Sequence, residues 1–210
     1  MASDIKNVLR VIWLILCVEF LTICKDNKDI GDSGITYPTG DISMIAPYVN
    51  SSDISYIYEA FSSGTNPAWG FSHGGIDFGT NVNLKQFQSV SSGFVEEIKL
   101  WQNNITSNWQ VNVRIKYNST YSVEYTFEPI SLSQSDGQTQ YNNISISAKQ
   151  YIAPGTIIGK LYNVGSGAHV DFSLKKNQTH ICPEPYFTSE AKNSILSLIH
   201  KDHPTWNMCY

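Results

Sequence analysis

This chain reads as a mainly β protein built on an antiparallel sheet, with a helix near its C-terminus, and three observations predict it. Residues 109–117 alternate cleanly, with Val111, Val113, Ile115 and Tyr117 on one side and Asn112, Arg114 and Lys116 on the other. Tyr121, Val123, Tyr125 and Phe127 resume the alternation after Asn118-Ser119, so the pair reads as a hairpin with one buried face. Tyr, Ile, Val, Ser, Thr and Asn are abundant, a composition suited to short strands joined by turns. Helical spacing is confined to residues 54–61 and 189–200.

From the N-terminus, Lys6 and Arg10 precede an apolar run over residues 11–24, broken by Glu19 and Thr22 and followed by Lys25-Asp26-Asn27-Lys28. The run is shorter than the roughly 20 residues of a membrane span, and its flanks are those of a signal peptide. Export is the expectation, with a membrane anchor over residues 11–24 as the alternative. Residues 26–43, with Gly31, Gly34, Pro38 and Gly40, read as an irregular arm. Ile54, Ile57, Tyr58 and Phe61 recur at helical spacing and predict a short helix. The hairpin follows, and residues 131–143, polar and rich in Gln and Ser, read as a long loop beside a groove. Cys182-Pro183-Glu184-Pro185 leaves the last strand in an extended, proline-stiffened form. The final helix starts at a Ser189 cap and carries Ile195, Leu196, Leu198 and Ile199 on its apolar side.

Composition excludes some functions. At 210 residues the chain suits one domain with a real core and terminal extensions. The net charge of −4 comes with no basic stripe, which excludes nucleic acid as a partner. No phosphate-cradling loop, dinucleotide fingerprint or nucleophile elbow is present. Cleavage after Cys24 would leave Cys182 and Cys209, an even pair predicted to bond in an oxidising compartment and tie the tail to the core. Sequons begin at Asn50, Asn104, Asn118, Asn143 and Asn177, as in a surface glycoprotein.

The residues that carry chemistry are two short pairs. His73-Gly74-Gly75-Ile76-Asp77 forms a glycine-rich turn, and His169-Val170-Asp171 lies in a strand-like run where positions i and i+2 share a face. Imidazole nitrogen and carboxylate oxygen are zinc ligands, and catalytic sites use three protein ligands with one position left open. His200 and His203 sit at a helix C-terminus, where the macrodipole explains them. His180 is held in reserve as a ligand and is expected to face solvent.

In their order, His73-Gly-Gly-Ile-Asp77-Phe78, Val90-Ser-Ser-Gly93-Phe-Val95, Pro154-Gly155-Thr156-Ile157-Ile158-Gly159 and His169-Val-Asp171-Phe172 resemble the blocks of the lysostaphin-type (LytM-like) zinc endopeptidases. Those enzymes cut peptide cross-bridges of bacterial cell walls. The resemblance runs from about Trp69 to Phe187. It implies a sandwich-like antiparallel β core of the duplicated hybrid motif kind at residues 69–187, between an arm at 25–68 and a C-terminal helix and tail at 188–210. It also implies a metallopeptidase with metal ligands His73, Asp77 and Asp171, general acid/base His169, a zinc cofactor and a peptidoglycan-type peptide substrate.

Two departures stand out. Asp171 occupies the place of the family's last histidine ligand, and Tyr125-Thr126-Phe127 that of its Y-x-H. A carboxylate in place of an imidazole lowers the site's charge by one, so a bound water is acidified less than the usual fall to a pKa of roughly 7. The harder ligand set favours manganese or magnesium as alternatives to zinc. Phe127 donates no hydrogen bond, and one lost oxyanion donor costs about a hundredfold to a thousandfold in rate. Two functions therefore stand: a metal-dependent endopeptidase for glycine-containing or cell-wall peptides, and an inactive homologue that binds a peptide or glycan.

Overall fold

The computed structural model describes residues 28–30 and 34–210, so the expected signal segment, Cys17 and Cys24 lie outside the described residues. The strands run β1 (Lys28–Ile30), β2 (Thr36–Pro38), β3 (Tyr56–Ile57), β4 (Ile76–Gly79), β5 (Lys85–Gln88), β6 (Gly93–Gln102), β7 (Trp109–Lys116) and β8 (Tyr121–Glu128). Helix α1 (Gln134–Asn142) follows, then β9 (Tyr151–Ile152), β10 (Ile157–Leu161), β11 (His169–Lys176), β12 (Thr179–Ile181) and α2 (Ser189–Asp202). The main sheet is antiparallel in the order β3-β4-β11-β8-β7-β6-β9, with β12 beside β11. Mainly β with a C-terminal helix is the class the alternation predicts. Among the described residues no helix is long and apolar enough to cross a membrane.

The sheet has one apolar and one polar face, as an antiparallel sheet can. Val111, Val113, Ile115, Val123, Tyr125, Phe127, Val170, Phe172 and Leu174 are wholly buried on the first. The β5–β10 pair contributes Phe87, Ile158 and Leu161 to the same core. Buried Tyr125 accepts the Val90 N–H at its hydroxyl, 2.9 Å away. Across the polar face the register aligns Asn112, Thr126, Asp171 and Asp77 on four neighbouring strands, with Glu128 opposite His169.

Lower on that face, Glu124 receives Arg114 Nε at 2.6 Å and Lys175 Nζ at 2.8 Å. Burial pushes the Glu124 carboxyl up, but these two donors outweigh it and hold the group below its ordinary value. A carboxyl depressed on folding stabilises above its unfolded pKa, about 4.3, and that contribution is lost as pH falls through the lower folded value. Glu124→Gln is expected to cost about 1 to 2 kcal/mol at neutral pH and to flatten the acid limb of the stability curve. Urea melts at pH 7 and pH 3 check this; an equal deficit at both would contradict it.

Three sequence expectations need correction. Residues 54–61 are not helical: a 3-10 turn covers Ser51–Asp53, and the chain then extends as β3, pairing Tyr56 with Gly79 and Ile57 with Phe78. The apolar positions fit either period, and a hydrogen-bonded neighbour decides for the strand. The strand β3 stands at one edge of the main sheet, beside β4.

The second correction is α1, a helix where a loop was expected. It is polar, and tertiary contacts hold it: Gln140 donates to the Lys160 carbonyl and accepts the Tyr162 N–H. Gly137 lets it approach the sheet, since a Cβ there would meet Trp109 Cβ at 2.6 Å. Third, the cap of α2 is Thr188, one residue before Ser189, and its side chain accepts the Ala191 N–H. The predicted Cys182–Cys209 disulfide is present. The Asn118 sequon is engaged in folding, with Nδ2 donating to the Gly40 carbonyl and Oδ1 accepting the Thr120 and Tyr121 N–H groups.

Candidate metal centre

His73 enters the site on a strand-like stretch, exchanging backbone hydrogen bonds with Ser62 before β4 begins. Its Nδ1 lies 3.3 Å from the Ala60 carbonyl, so Nδ1 carries the proton there and Nε2 is left facing Asp77 Oδ1 at 3.4 Å. His169 is held the same way. Its Nδ1 sits 2.7 Å from the Gly167 carbonyl, and its Nε2 lies 3.7 Å from both Asp77 Oδ2 and Glu128 Oε2. Tying one ring nitrogen to a carbonyl fixes the orientation of the other, as in metal-bound imidazoles. Tyr58 packs edge-on against the His169 ring, centroids 5.6 Å apart.

The glycine turn is built by close approach. A Cβ on Gly75 would stand 2.0 Å from Asp171 Oδ1 and 2.5 Å from the Phe172 carbonyl oxygen. Only glycine admits β11 at that spacing. Asp171 therefore lies opposite Asp77 across the strand pair, with its carboxylate tucked against the turn. His180 is exposed, as expected, with one side of its ring lying against Gly74.

His73, Asp77, His169 and Asp171 are thus gathered at one end of the sheet's polar face. Two carboxylates that sequence reasoning passed over join them. Glu59 reaches the site from the segment after β3, and one ligand atom each from Glu59, His73 and Asp77 lie within 4.8 Å of one another. Asp171 is not a member of that compact group. Glu128, opposite His169, is held by the Gln110 amide. Its signal was available, because Glu124, Thr126 and Glu128 are the polar set alternating with Tyr125 and Phe127.

That parity corrects the reading of Phe127. It is fully buried on the apolar face, edge-on to Phe87 at 5.9 Å. The β8 residue that reaches the site is its neighbour Glu128, so an acidic group stands beside His169.

Charge in the site is unbalanced, with Glu59, Asp77, Glu128 and Asp171 facing two imidazoles. Burial, reinforced by Asp77, pushes Glu59 up to about 8 and Asp171 up to about 7. Burial likewise raises Glu128. It opposes the charged form of His73, but Asp77, Asp171 and Glu59 overcome it and lift that group to about 10. His169 is raised against the same opposition by Asp77 and Glu128. Asp77 is held below its ordinary value, burial being outweighed by the imidazoles. Protons on Glu59 and Asp171 thus supply neutralisation that a divalent cation supplies in a metal site. Asp77 Oδ1 and Asp171 Oδ1 are buried without hydrogen-bond partners, which is costly unless something else satisfies them. The donor set fits a divalent cation.

No family model matches the sequence, and no curated protein matches it. Solved structures do. A zinc containing peptidase from Vibrio cholerae matches at 16% identity and a TM-score of 0.48, over 73% of this chain and 44% of that one. The antimicrobial peptidase lysostaphin from Staphylococcus simulans matches at 18% and 0.46, over 73% and 56%. A catalytic-domain mutant of the prophage-encoded protein EnpA from Enterococcus faecalis matches at 20% and 0.47, over 68% and 97%. The match spans about half the length of the first two chains. The likeness is one of fold: this mainly β chain is similar to lysostaphin, the peptidase whose family its motif order from His73 to Asp171 resembles.

Proposed function

We propose that this chain is a metal-dependent, peptidase-like hydrolase of the lysostaphin type, exported from the cell, with a peptide of the cell-wall kind as substrate. One observation carries the reading. Asp77, buried and with Oδ1 lacking a hydrogen bond, lies between two imidazoles whose Nδ1 atoms are tied to carbonyls and whose Nε2 atoms face it. The motif order supports the family, and the Cys182–Cys209 bond suits an oxidising compartment.

In this reading His73 and Asp77 hold the cation, with an acidic third ligand for which Asp171 was the expectation. Zinc, when bound, would supply Lewis acidity toward the scissile carbonyl and a more acidic water. His169, positioned by the Gly167 carbonyl and by Tyr58, holds a proton at Nε2 that can pass to the leaving amine nitrogen. Glu128, with Oε2 3.7 Å from His169 Nε2, favours that proton electrostatically. Phe127, buried on the apolar face in place of the family's histidine, donates nothing to a developing oxyanion, which favours the second reading, a binding module without efficient turnover.

His73→Ala is expected to abolish metal retention, measured by elemental analysis of the purified protein. Wild-type protein should hydrolyse glycine-rich peptides with added zinc or manganese, and His169→Ala should lower that rate by about a hundredfold or more. Equal rates in the two proteins would leave the binding module.

A further inference from the structure

We propose that Glu59 is a direct protein ligand of the cation held by His73 and Asp77, in the role expected of Asp171; this rests on the metal-site reading above. The backbone places it there. Asp77 donates its N–H to the Glu59 carbonyl at 3.0 Å and accepts the Tyr58 N–H at 3.2 Å, so the segment after β3 runs alongside β4 at the level of Asp77. Tyr58 and Glu59 thus both oppose Asp77, and this bulge interrupts the alternation set by buried Ile57 and brings Glu59 level with Asp77 on the polar face. Among the described residues no lysine or arginine pairs with it. Its carboxylate instead shares a space 4.8 Å across with a ligand atom each of His73 and Asp77.

Independent of that cluster, Asp77 is 3% exposed and its Oδ1, the oxygen nearest His73, has no hydrogen-bond partner. Asp171 is differently disposed, with Oδ1 against the Gly75 backbone and outside the compact group. A set of one imidazole and two carboxylates carries two negative charges when ionised, matching a divalent cation. It is harder than a set with two imidazoles, so manganese should compete with zinc better here than at a histidine-rich site.

The ligand also comes from a braced segment. Phe61 forms a parallel bridge with Cys209, and Tyr210 donates to the Phe61 carbonyl while accepting the Ser63 N–H. The disulfide to Cys182 anchors that tail.

The test is titration of the chelator-stripped full chain with Zn²⁺ and Mn²⁺ by calorimetry, and with Co²⁺ by visible absorption, in wild type, Glu59→Gln, Glu59→Asp and Asp171→Asn. Near-UV circular dichroism confirms the fold of each. Glu59→Gln is expected to weaken Zn²⁺ about tenfold or more and to change the Co²⁺ spectrum, which a purely structural role would leave alone. Glu59→Asp, which keeps the charge and shortens the reach, should also alter the spectrum. Asp171→Asn, which removes a nearby charge but no ligand, should weaken Zn²⁺ less than Glu59→Gln and leave the Co²⁺ spectrum as in wild type. Wild-type affinity and spectrum in both Glu59 variants, or transfer of the loss to Asp171→Asn, overturns the assignment and leaves the metal-site reading standing. Wild-type protein that takes up none of the three cations overturns both.

Discussion

Phe127→His is expected to destabilise the domain by about 3 kcal/mol or more, and to add nothing to catalysis. The ring lies between the sheet and β5, fully buried and in contact with Phe87. Removing a buried phenyl forfeits its packing, and an imidazole there would bury polar nitrogens without partners. Read from sequence as the missing member of Y-x-H, the same substitution would be a gain of function. Denaturant melts with parallel peptide assays separate the two; a variant as stable as wild type and more active would mean that position 127 faces the site. Glu128, one residue on, is the position where a change should move activity and spare the core.

Opening the Cys182–Cys209 bond, by Cys209→Ser or by reduction, is expected to cost about 3 kcal/mol, the chain-entropy value for a loop of this order, across a separation of 27 residues. For a chain of this length that corresponds to a fall in Tm of roughly 6 to 12 °C. The tail it anchors lines up with Phe61 and Ser63, and Ser62 pairs with His73. Loss of the bond should therefore weaken cation binding along with stability. Calorimetric melts and Zn²⁺ titrations of Cys209→Ser check both; unchanged Tm would show that the tail is held without its covalent tether.

The hairpin was legible because alternation is a local property: Val111, Val113 and Ile115 on β7, and Val123 and Tyr125 on β8, announce which face is buried. Helix α2 was legible from its apolar spacing, and the disulfide from simple counting. Residues 54–61 and α1 were not. In the first, helical spacing was overruled by pairing with β4, and in the second a polar segment became helical through Gly137 and Gln140 contacts to distant residues.

By itself the sequence determined that His73 and Asp77 lie in a glycine turn, that His169 and Asp171 share one face of a strand, and that the motif order is lysostaphin-like. These depend on residues a few positions apart. Only the tertiary structure decided that Glu59 and Glu128 join them, that Asp171 lies against Gly75, and that Phe127 turns inward. The reason is register: strands far apart in the chain meet through their ladders, and a slip of one residue exchanges the two faces of a strand.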